Sequence, residues 1–594
     1  MSKGDNTESQ EYLITSVKRK DYSHFREISS ENSDFKINLP LSACVRKGDK
    51  ICKKAQSVYV VCKNGFAQIF PPYCSKDRIC RDGIDIEFLV KEITEEKEYE
   101  AYKSLTEFHY RKSAIYGKTA ALVIRNVNPL YPVILGYIEL ATPLYMNKAR
   151  GKILDDTFSF NNVSWERWNK STAQRYINTI VRISRCLIYP EFRGLGLGQT
   201  LVKHAIAYAQ KHWQVAGNCP YFLEISADMI KYVPFAEKAG MIYIGETEGN
   251  LNRISKDLRY LLANANRVRL NEVVHKGSFG IVDQQVQRLT RVLSIMEENK
   301  IDQADVIDRL DRLTTAKVLR DYSLFYQIVS LPKPNYMIGL NDEANSFIKK
   351  RVELLQPKSP NNHVTESKIE PIEGPIAIRD FSISYHSKVR RTRKTHIVQQ
   401  AFGISPENIQ TDIIRNLSIE INPGEIILIT GPSGSGKTSL LNMLEEPDKE
   451  PDKRDPVMDV EGVIQYPPNY RPGTFNVPRS KKPLIELFKD ISVSNALFLM
   501  GLVGLSDAYI YLKRFQELSK GQQYRLMLAL LMTTDHNVWL LDEFCSNLDP
   551  ITSKSVSAKL RQIAKRKGVT VVVTVPNCNR GHPITLQIMM VHAK

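Results

Sequence analysis

The sequence lacks a long hydrophobic run and a signal-like start. Its most apolar stretch, residues 491 to 505, is broken by Ser494, Asn495 and Gly501, whereas a membrane-spanning helix needs about 20 apolar residues. We therefore interpret this stretch as a buried helix. The amino terminus, MSKGDNTESQEY, is polar and has no apolar core of the kind found in signal peptides. These absences predict a cytoplasmic protein without a membrane span.

Cysteine is scarce, with nine residues in a chain of 594. The cysteines between residues 44 and 80 are irregularly spaced and include no C-x-x-C pair, so they give little support for a zinc site. Buried free thiols are the expected state in a cytoplasmic chain. The five cysteines of this stretch are Cys44, Cys52, Cys62, Cys74 and Cys80.

Negative charge is in deficit, because 82 lysines and arginines face 65 aspartates and glutamates, which gives a formal net charge of +17. A balance of this size favours an anionic partner, most often nucleic acid. The alternative is that the charge serves solubility and the lysines of a nucleotide site. The segment SKVRRTRKTH is a candidate for nucleic-acid contacts, with a solvated loop as the alternative. Its basic residues are Lys388, Arg390, Arg391, Arg393 and Lys394.

Composition and periodicity divide the chain into segments of a multidomain α/β protein. Short β-prone runs between Gly, Pro and Lys indicate a small β-rich module near the amino terminus. Mixed α and β patterns on either side of a charged helical stretch indicate two larger domains. The predicted segments are a flexible arm (1–35), the β-rich module (36–91), a first α/β domain (92–265), a helical connector (266–353), a linker (354–369) and a second α/β domain (370–594).

The second α/β domain contains a phosphate-binding loop, G-x-x-x-x-G-K-T, between a β-prone run and a helical run. Its glycines let backbone N–H groups curl round a phosphate, and the following helix adds partial positive charge. Lys437 can reach the β- and γ-phosphates of ATP, and the Thr438 hydroxyl can ligate Mg²⁺. The predicted ATP-binding residues of this segment are Gly431, Ser433, Gly434, Ser435, Gly436, Lys437, Thr438 and Ser439.

An apolar run downstream of this loop, NVWLLDEF, ends in two carboxylates. Asp542 can hold Mg²⁺ together with Thr438. Glu543 stands where a carboxylate can polarise the attacking water as a general base. The loop and this strand end together predict binding and hydrolysis of ATP with Mg²⁺.

The segment LSKGQQ, at residues 518 to 523, resembles the LSGGQ signature of ABC ATPases, with Lys520 replacing a glycine. The order of phosphate loop, signature, acidic strand end and a D-loop-like SNLD is similar to that family. The resemblance implies an ABC-type nucleotide-binding domain in which the signature of one protomer completes the ATP site of another, and therefore a homodimer. The further ATP contacts that it implies are Ser519, Gly521, Gln522, Asp542, Asp549 and, stacked on adenine, Tyr385.

Two departures from the ABC pattern leave the rate of hydrolysis open. The strand-like residues 569 to 575 run into Pro576 and not into the family's switch histidine. The family's glutamine between the phosphate loop and the signature has no clear counterpart, since Glu486 and Leu487 stand where it is expected. We expect ATP binding, with hydrolysis that is slow or depends on a partner.

The first α/β domain contains a second Gly-rich turn, in CLIYPEFRGLGLGQTLVKHAI, where a strand leads into a helix amino terminus and forms an anion cradle. The segment resembles motif A of the GCN5-related N-acetyltransferases (GNAT), and PYFLEIS and PFAEKAGMIYIG resemble later segments of that family. The resemblance implies a GNAT-like α/β fold that binds the pyrophosphate of acetyl-CoA or another acyl-CoA. The implied contacts are Leu187, Ile188, Arg193, Gly194, Leu195, Gly196, Leu197 and Gly198.

The catalytic groups of the acyl-CoA domain are less well defined. GNAT proteins often place a tyrosine acid in the segment F-Y-E-K, where this chain has Ala236. Tyr232, Ser226 and Asp228 are alternatives that lie nearby in the sequence. Glu224 is a candidate for the base that takes a proton from an amine, and a buried carboxylate with a structural hydrogen bond is the alternative.

Together the two motif sets resemble a family of soluble ABC-type ATPases fused to an acetyltransferase domain. We expect an ATPase and N-acyltransferase that acts on nucleic acid or on a nucleic-acid-associated protein. One alternative is an ATP-gated nucleic-acid clamp with a catalytically degenerate acyl-CoA domain. Another is the ATPase subunit of a transporter.

Overall fold

The computed structural model describes residues 10–19, 25–30, 35–81, 84–107, 117–129, 131–249, 332–357, 369–387, 392–403, 409–447, 458–546, 548–576 and 587–591. In these ranges no helix is long and apolar enough to cross a membrane. The predicted helical connector before residue 332 and most of the predicted linker lie outside the described residues. Cys44 and Cys52 are buried free thiols, whereas Cys74 and Cys80 are exposed.

The amino-terminal sheet has six antiparallel strands in the order β3-β2-β1-β4-β5-β6. Its core includes Ile14 of the first strand and Ile28 of the second. Part of the segment predicted as a flexible arm therefore forms strands of a packed sheet. Charged residues within both strands obscure the apolar alternation that marks a strand in the sequence. The strands are β1 (Gln10–Arg19), β2 (Phe25–Ser30), β3 (Lys36–Pro40), β4 (Lys50–Lys54), β5 (Ser57–Cys62) and β6 (Gly65–Phe70).

The central sheet has eight strands in the order β15-β16-β14-β13-β10-β9-β8-β7, in which only β13 and β14 are parallel neighbours. Its strands are β7 (Cys74–Arg81), β8 (Ile84–Glu92), β9 (Thr119–Asn126), β10 (Ile134–Ala141), β13 (Ile180–Ile188), β14 (Phe222–Ser226), β15 (Ile242–Glu246) and β16 (Pro334–Gly339). A separate hairpin consists of β11 (Phe158–Phe160) and β12 (Val163–Trp165).

Strands from outside the predicted first α/β domain complete the central sheet. β7 and most of β8 come from the predicted β-rich module, and β16 comes from the predicted helical connector. β16 lies between β14 and β15 and pairs with both, which places Met337 opposite Glu224. Pairing between strands so distant in sequence leaves no local pattern. The folded domain therefore extends beyond the boundaries predicted at residues 91 and 265.

Helices cover the central sheet with one apolar face each. In α4, residues at helical spacing such as Leu201, Ala205 and Tyr208 are buried against the strands. The helices are α1 (Glu96–Thr106), α2 (Lys148–Leu154), α3 (Lys170–Tyr176), α4 (Leu197–Lys211), α5 (Phe235–Lys238) and α6 (Asp342–Leu355).

The carboxy-terminal domain has two sheets. An antiparallel sheet contains β17 (Ile376–Ser387), β18 (Ile409–Ile421) and β20 (Met458–Gln465). The second sheet has the order β21-β22-β23-β19-β24 and is parallel except for β24. Its strands are β19 (Ile426–Gly431), β21 (Pro472–Thr474), β22 (Val538–Leu541), β23 (Thr570–Pro576) and β24 (Gln587–Val591). The apolar runs of β22 and β23 reflect burial of a parallel sheet on both faces.

Six helices of the carboxy-terminal domain surround these sheets in the described ranges. The stretch interpreted as a buried helix is α9, in which Ala496, Leu499 and Met500 are buried. The helices are α7 (Arg393–Phe402), α8 (Lys437–Glu445), α9 (Val493–Leu502), α10 (Ala508–Leu512), α11 (Lys520–Leu531) and α12 (Pro550–Lys567).

The central and carboxy-terminal domains are in direct contact. Ala558 of α12 belongs to the same buried apolar cluster as Phe192 and Leu195 of the central domain. Met229, also of the central domain, packs against the apolar cluster that contains Tyr511 of α10. The two predicted ligand-binding regions are therefore held against each other by buried apolar surface.

Candidate functional site

The phosphate-binding loop joins the end of β19 to the start of α8. Gly434 and Gly436 have φ angles of 83° and 84°, where residues with a Cβ are strained. A Cβ on Gly436 would also lie 2.4 Å from Ile413 Cγ2, so glycine is required there for two reasons. The loop is thus a tight curve of backbone immediately before a helix amino terminus.

Polar side chains of the loop face its interior. The Nζ of Lys437 is buried and donates to the carbonyls of Gly431 at 2.7 Å and Pro432 at 2.8 Å. The Ser435 hydroxyl is also buried and has no hydrogen-bond partner in the described part of the chain. Buried polar atoms normally have a partner, and a phosphate oxygen would supply one here. The loop therefore fits the phosphates of ATP.

The two predicted Mg²⁺ ligands lie next to each other. The Thr438 hydroxyl donates to Asp542 Oδ2 at 2.9 Å, which joins the start of α8 to the residue that follows β22. Hydroxyl and carboxylate oxygens are suitable ligands for Mg²⁺. Glu543 is exposed beside this pair and has a φ of 44°, an uncommon conformation for a non-glycine residue.

Thr574 of β23 supports both carboxylate residues and was not identified in the sequence. Its hydroxyl donates to Asp542 Oδ1 at 2.5 Å and accepts a hydrogen bond from the Glu543 N–H at 2.8 Å. The sequence signal is slight, namely one polar residue in the run VVVTV. Thr574 thereby fixes the backbone turn that carries Glu543.

Tyr385 lies at the edge of the phosphate loop. Its hydroxyl and the Ser439 hydroxyl form a hydrogen bond of 3.2 Å, and its side chain is only partly buried. Ser433 and Gly434 are exposed at the mouth of the same loop. The structure therefore brings these predicted ATP contacts together, and adenine stacking on Tyr385 stays a prediction.

The residues at the position expected for the family glutamine are Glu486 and Leu487. Glu486 and Leu487 lie in a short 3₁₀ helix. By contrast, β21 pairs in parallel with β22, and Thr474 stands opposite Leu540. β21 ends at Thr474, and the exposed Asn476 follows two residues later. Asn476 is thus a polar residue shortly after the strand that neighbours β22.

The signature residues form the first turn of α11. Ser519 Oγ accepts from the Gln522 N–H at 3.3 Å, and Gln522 Oε1 accepts from the Ser519 N–H at 3.1 Å. Such reciprocal capping stabilises a helix start. A Cβ on Gly521 would lie 2.4 Å from Thr552 Cγ2, so glycine lets α11 approach α12. Asp549 in turn caps α12 by accepting from the Thr552 N–H at 3.0 Å.

The second Gly-rich turn lies between β13 and α4 in the central sheet. β13 pairs with β14 only from Ile180 to Ile183, although β13 continues to Ile188. β14 ends at Ser226, so in the described residues the last part of β13 has no pairing with β14. Gly194 and Gly196 follow with φ angles of 87° and 99°, and Gly196 precedes the first turn of α4. A Gly-rich turn before a helix amino terminus fits an anionic group such as the pyrophosphate of acyl-CoA.

Comparison with known proteins agrees with this geometry. A family model described as ABC transporter matches residues 414–546. The thiamine import ATP-binding protein ThiQ of Vibrio parahaemolyticus is 30% identical over 184 residues, which cover 28% of this chain and 74% of that protein. The chain belongs to the ABC ATPase family.

A second family model, described as Acetyltransferase (GNAT) family, matches residues 167–241 of this ABC ATPase. The spermidine/putrescine import ATP-binding protein PotA of Vibrio parahaemolyticus is 29% identical over 189 residues, which cover 29% of this chain and 48% of that protein. The chain thus spans about half the length of that relative. A solved dimeric bacterial ABC transporter cassette has 20% identity and a TM-score of 0.25, covering 34% of this chain and 87% of the cassette chain.

The Gly-rich turn of the GNAT domain packs against the ABC domain through Arg193. Arg193 Nε donates to the Ile188 carbonyl at 3.0 Å, which closes the turn after β13. Its Nη1 donates to Asp507 Oδ2 at 3.2 Å, and both side chains are largely buried. Leu187, Leu195 and Leu197 are buried around the same turn, and Ile188 is partly buried, so these side chains support the loop.

Glu224 is a buried carboxylate with structural hydrogen bonds, which is the alternative to a catalytic base. Its Oε1 accepts from Arg150 Nη1 at 2.7 Å, and its Oε2 accepts from Asn147 Nδ2 at 3.3 Å. The side chains of Glu224 and Arg150 are both 1% exposed. A carboxylate that is enclosed and paired in this way cannot approach an amine substrate, so the structure does not support Glu224 as the base.

The candidates for the acid are also engaged in other contacts. Ala236, at the position of the family's tyrosine acid, is fully buried. Ser226 Oγ donates to Asn335 Oδ1 at 3.0 Å. Asp228 lies 3.6 Å from Lys333 Nζ. Burial raises the pKa of Tyr232, whose hydroxyl also interacts with Ser494 of the ABC domain. Tyr232 is therefore protonated at neutral pH, as a proton donor must be.

The basic segment proposed for nucleic-acid contacts is described only at its end. Lys388, Arg390 and Arg391 lie outside the described residues. Arg393 and Lys394 form the exposed first turn of α7, a helix with no buried residue. Nothing in the described contacts assigns a partner to them.

Proposed function

We propose that the chain is a homodimeric ATPase that also transfers an acyl group from acyl-CoA to an amine. The observation that carries the proposal is the contact between Thr438 and Asp542, which sets two Mg²⁺ ligands beside Glu543 in a chain that also has an acyl-CoA loop. Because ATP and acyl-CoA are both cytoplasmic metabolites, we expect the protein in the cytoplasm.

The residues of the ATP site divide into binding and catalytic groups. Lys437 and the loop N–H groups bind the phosphates, and Thr438 and Asp542 hold Mg²⁺, which neutralises charge on the phosphates. Glu543 polarises the attacking water as general base, in the orientation set by Thr574. Ser519, Gly521 and Gln522 contact ATP from the other protomer, since the reciprocal cap leaves Ser519 and Lys520 at the surface.

The residues of the acyl-CoA site supply binding more clearly than catalysis. Backbone N–H groups from Gly194 to Gly198 hold the pyrophosphate at the amino terminus of α4. The bound cofactor supplies the activated acyl group. In the transfer the amine nitrogen bonds to the acyl carbon as the carbon–sulfur bond breaks. We assign Tyr232 as the proton donor to the leaving thiolate, and the amine's proton passes to solvent water, which reprotonates the tyrosine.

The net charge of the chain is the basis for proposing a class of acyl acceptor. A net charge of +17 favours an anionic acceptor or an acceptor bound to one, and nucleic acid is the first class to test. A second function, an ATP-gated clamp whose acyl-CoA domain binds without turnover, is favoured by Ala236 and by the enclosed Glu224. A transporter subunit is the third candidate, because the curated relatives are import ATP-binding proteins.

The ATPase half is tested with two substitutions. Lys437→Ala removes the phosphate contact and is expected to abolish ATP binding, measured by equilibrium dialysis. Glu543→Gln keeps the shape of the site and is expected to retain binding while hydrolysis falls by about 10²- to 10⁴-fold, the usual contribution of a general base. Unchanged hydrolysis in Glu543→Gln would refute the assigned base.

The acyltransferase half is tested by mass spectrometry of nucleic acid and protein incubated with ATP and acetyl-CoA. The variant Gly196→Val/Gly198→Val obstructs the cofactor loop, and Gly151→Ala, where a Cβ meets nothing within 4 Å, is the matched control. Acylated product that disappears only in the double variant supports the transferase. Binding of acetyl-CoA without any product supports the clamp.

A further inference from the structure

Arg525 of the ABC domain is inserted into the GNAT domain. Arg525 is 3% exposed, and its guanidinium donates to the carbonyls of Pro190 at 3.2 Å and Glu191 at 3.0 Å. These carbonyls belong to the short turn between β13 and the pyrophosphate loop. A third hydrogen bond, of 3.0 Å, joins Arg525 to the Ser555 hydroxyl of α12. One buried cation thus connects two ABC helices to the start of the acyl-CoA loop.

Close backbone packing surrounds this connection. Gly504 has a φ of 86°, and a Cβ on it would lie 2.9 Å from the Arg193 carbonyl oxygen. A Cβ on Gly194 would lie 2.5 Å from Lys559 Cε of α12. Together with the ion pair between Arg193 and Asp507, these close approaches pack the loop directly against the ABC domain.

The helices that hold the loop begin at predicted nucleotide contacts. α11 is capped by Ser519 and carries Arg525 further along the helix, while α12 is capped by Asp549 and carries Ser555. A cavity of about 170 Å³ lies between the domains and is lined both by signature residues and by the acyl-CoA turn. Its lining includes Gly521, Gln522, Pro190 and Arg193. The signature and the acyl-CoA loop are therefore neighbours within one protomer.

We propose that Arg525 is a positioning residue through which ATP bound at the signature changes the affinity of the GNAT domain for acyl-CoA. The proposal rests on the proposed function, because it requires both ligands to bind. A helix is rigid over this distance, so displacement of the first turn of α11 moves Arg525 with it. A buried guanidinium cannot be left without its acceptors, so the carbonyls of Pro190 and Glu191 follow.

Thermodynamic linkage makes the coupling reciprocal. If ATP changes the affinity for acyl-CoA by some factor, acyl-CoA changes the affinity for ATP by the same factor. Allosteric coupling between two sites in proteins is typically about 5- to 150-fold. Binding of acyl-CoA to the GNAT domain therefore also changes the affinity of the ATPase domain for ATP.

The coupling is measured on the full chain by calorimetric titration with acetyl-CoA, with and without saturating Mg²⁺ and the nonhydrolysable analogue AMP-PNP. We expect the Kd for acetyl-CoA to change at least about fivefold in the unsubstituted chain. In Arg525→Met the ratio of the two Kd values is expected to fall to within about twofold of one, while each ligand still binds alone. The reverse titration, AMP-PNP with and without acetyl-CoA, should give the same ratio.

Matched variants separate coupling from folding. Lys554→Met removes an exposed positive charge beside Ser555 in α12 and should leave the ratio unchanged. Asp507→Asn retains a residue that can cap α10 but loses the charge paired with Arg193, and should reduce the ratio in a chain that folds normally. Circular dichroism melting verifies folding of each variant.

Three results would overturn the proposal. The first is that AMP-PNP binds without altering the Kd for acetyl-CoA. The second is that the ratio of the two Kd values persists in both Arg525→Met and Asp507→Asn. Either result refutes the coupling and leaves the proposed function intact. Absence of acetyl-CoA binding in the unsubstituted chain refutes the proposed transferase and the coupling together.

Discussion

Arg150 and Glu224 form an ion pair beneath the surface of the GNAT domain, with 2.7 Å between Nη1 and Oε1. The second guanidinium nitrogen of Arg150 donates to the carbonyls of Leu144 and Tyr145. The pair therefore ties the loop before α2 to strand β14. Because both groups are enclosed, the pair explains why a carboxylate occurs on this strand without a catalytic role.

Removal of one member of this pair should be costly. Arg150→Met removes the hydrogen-bonded cation of the buried Glu224, which retains Asn147 and the charge of Arg182, and is expected to lower the free energy of unfolding by up to about 3–5 kcal/mol. Urea denaturation followed by tryptophan fluorescence measures the loss. Lys76→Met is the control, because Lys76 and Glu87 form an exposed pair whose loss should cost less than about 1 kcal/mol. Equal losses in the two variants would contradict the structural role.

Gly521→Ala tests the contact between the signature helix and α12. The added methyl would overlap Thr552 Cγ2, so we expect a lower melting temperature and a loss of about 1–3 kcal/mol of stability. ATP hydrolysis should fall as well, because the shift displaces Ser519 and Gln522. Lys520→Ala, on the exposed side of the same turn, should melt like the parent chain. A Gly521→Ala variant with an unchanged melting temperature would show that the helices have room to separate.

Thr574→Val tests the support of the general base. The variant removes the hydroxyl that contacts Asp542 and the Glu543 N–H, so the rate of phosphate release at saturating Mg²⁺-ATP should fall by about 10- to 100-fold. Thr574→Ser retains the hydroxyl and should keep most of the rate. If both variants hydrolyse ATP equally fast, the orientation of Glu543 does not depend on this contact.

His212 predicts a specific dependence of stability on pH. Burial lowers the pKa of its imidazole from 6.5 to about 4, and the ring stacks on Tyr208 with 5.3 Å between centroids. As pH falls from 6.5 to about 4, the unfolded chain binds a proton that the folded chain does not bind. Stability is therefore lost with falling pH across this window, by on the order of 3 kcal/mol in total.

His212→Gln should remove the part of the pH dependence of stability that comes from this imidazole. We expect the difference in unfolding free energy between pH 7 and pH 4 to be smaller in His212→Gln than in the parent chain, measured by urea denaturation at both values. His396→Gln, which changes an exposed histidine of α7, is the control and should retain the parent's pH dependence. A parent-like pH dependence in His212→Gln would mean that the imidazole is protonated in the folded chain.

Much of both candidate sites could be predicted from the sequence, because their chemistry depends on residues that are close together in the chain. The phosphate loop, the capped signature turn and the Gly-rich turn after β13 are each continuous segments. Spacing within such segments determines which backbone groups point together. Asp542 and Glu543 were predictable for the same reason, since an apolar strand leads directly into them.

Residues that reach a site through strand pairing could not be predicted in this way. Thr574 contacts Asp542 only because β23 lies beside β22 in the folded sheet. Glu224 was a candidate base on the sequence, and only the approach of Arg150 from another segment assigned it to an ion pair. β16 likewise completes the GNAT sheet from a region that was interpreted as a helical connector.

The sequence by itself determined the family and the two Gly-rich loops that we propose bind phosphate groups, because these follow from local backbone geometry and side-chain chemistry. Only the tertiary structure decided that Arg525, which lies just beyond the signature, binds the turn before the acyl-CoA loop. That contact joins residues far apart in the chain, and it forms because burying apolar surface between the domains brings a guanidinium within reach of two carbonyls.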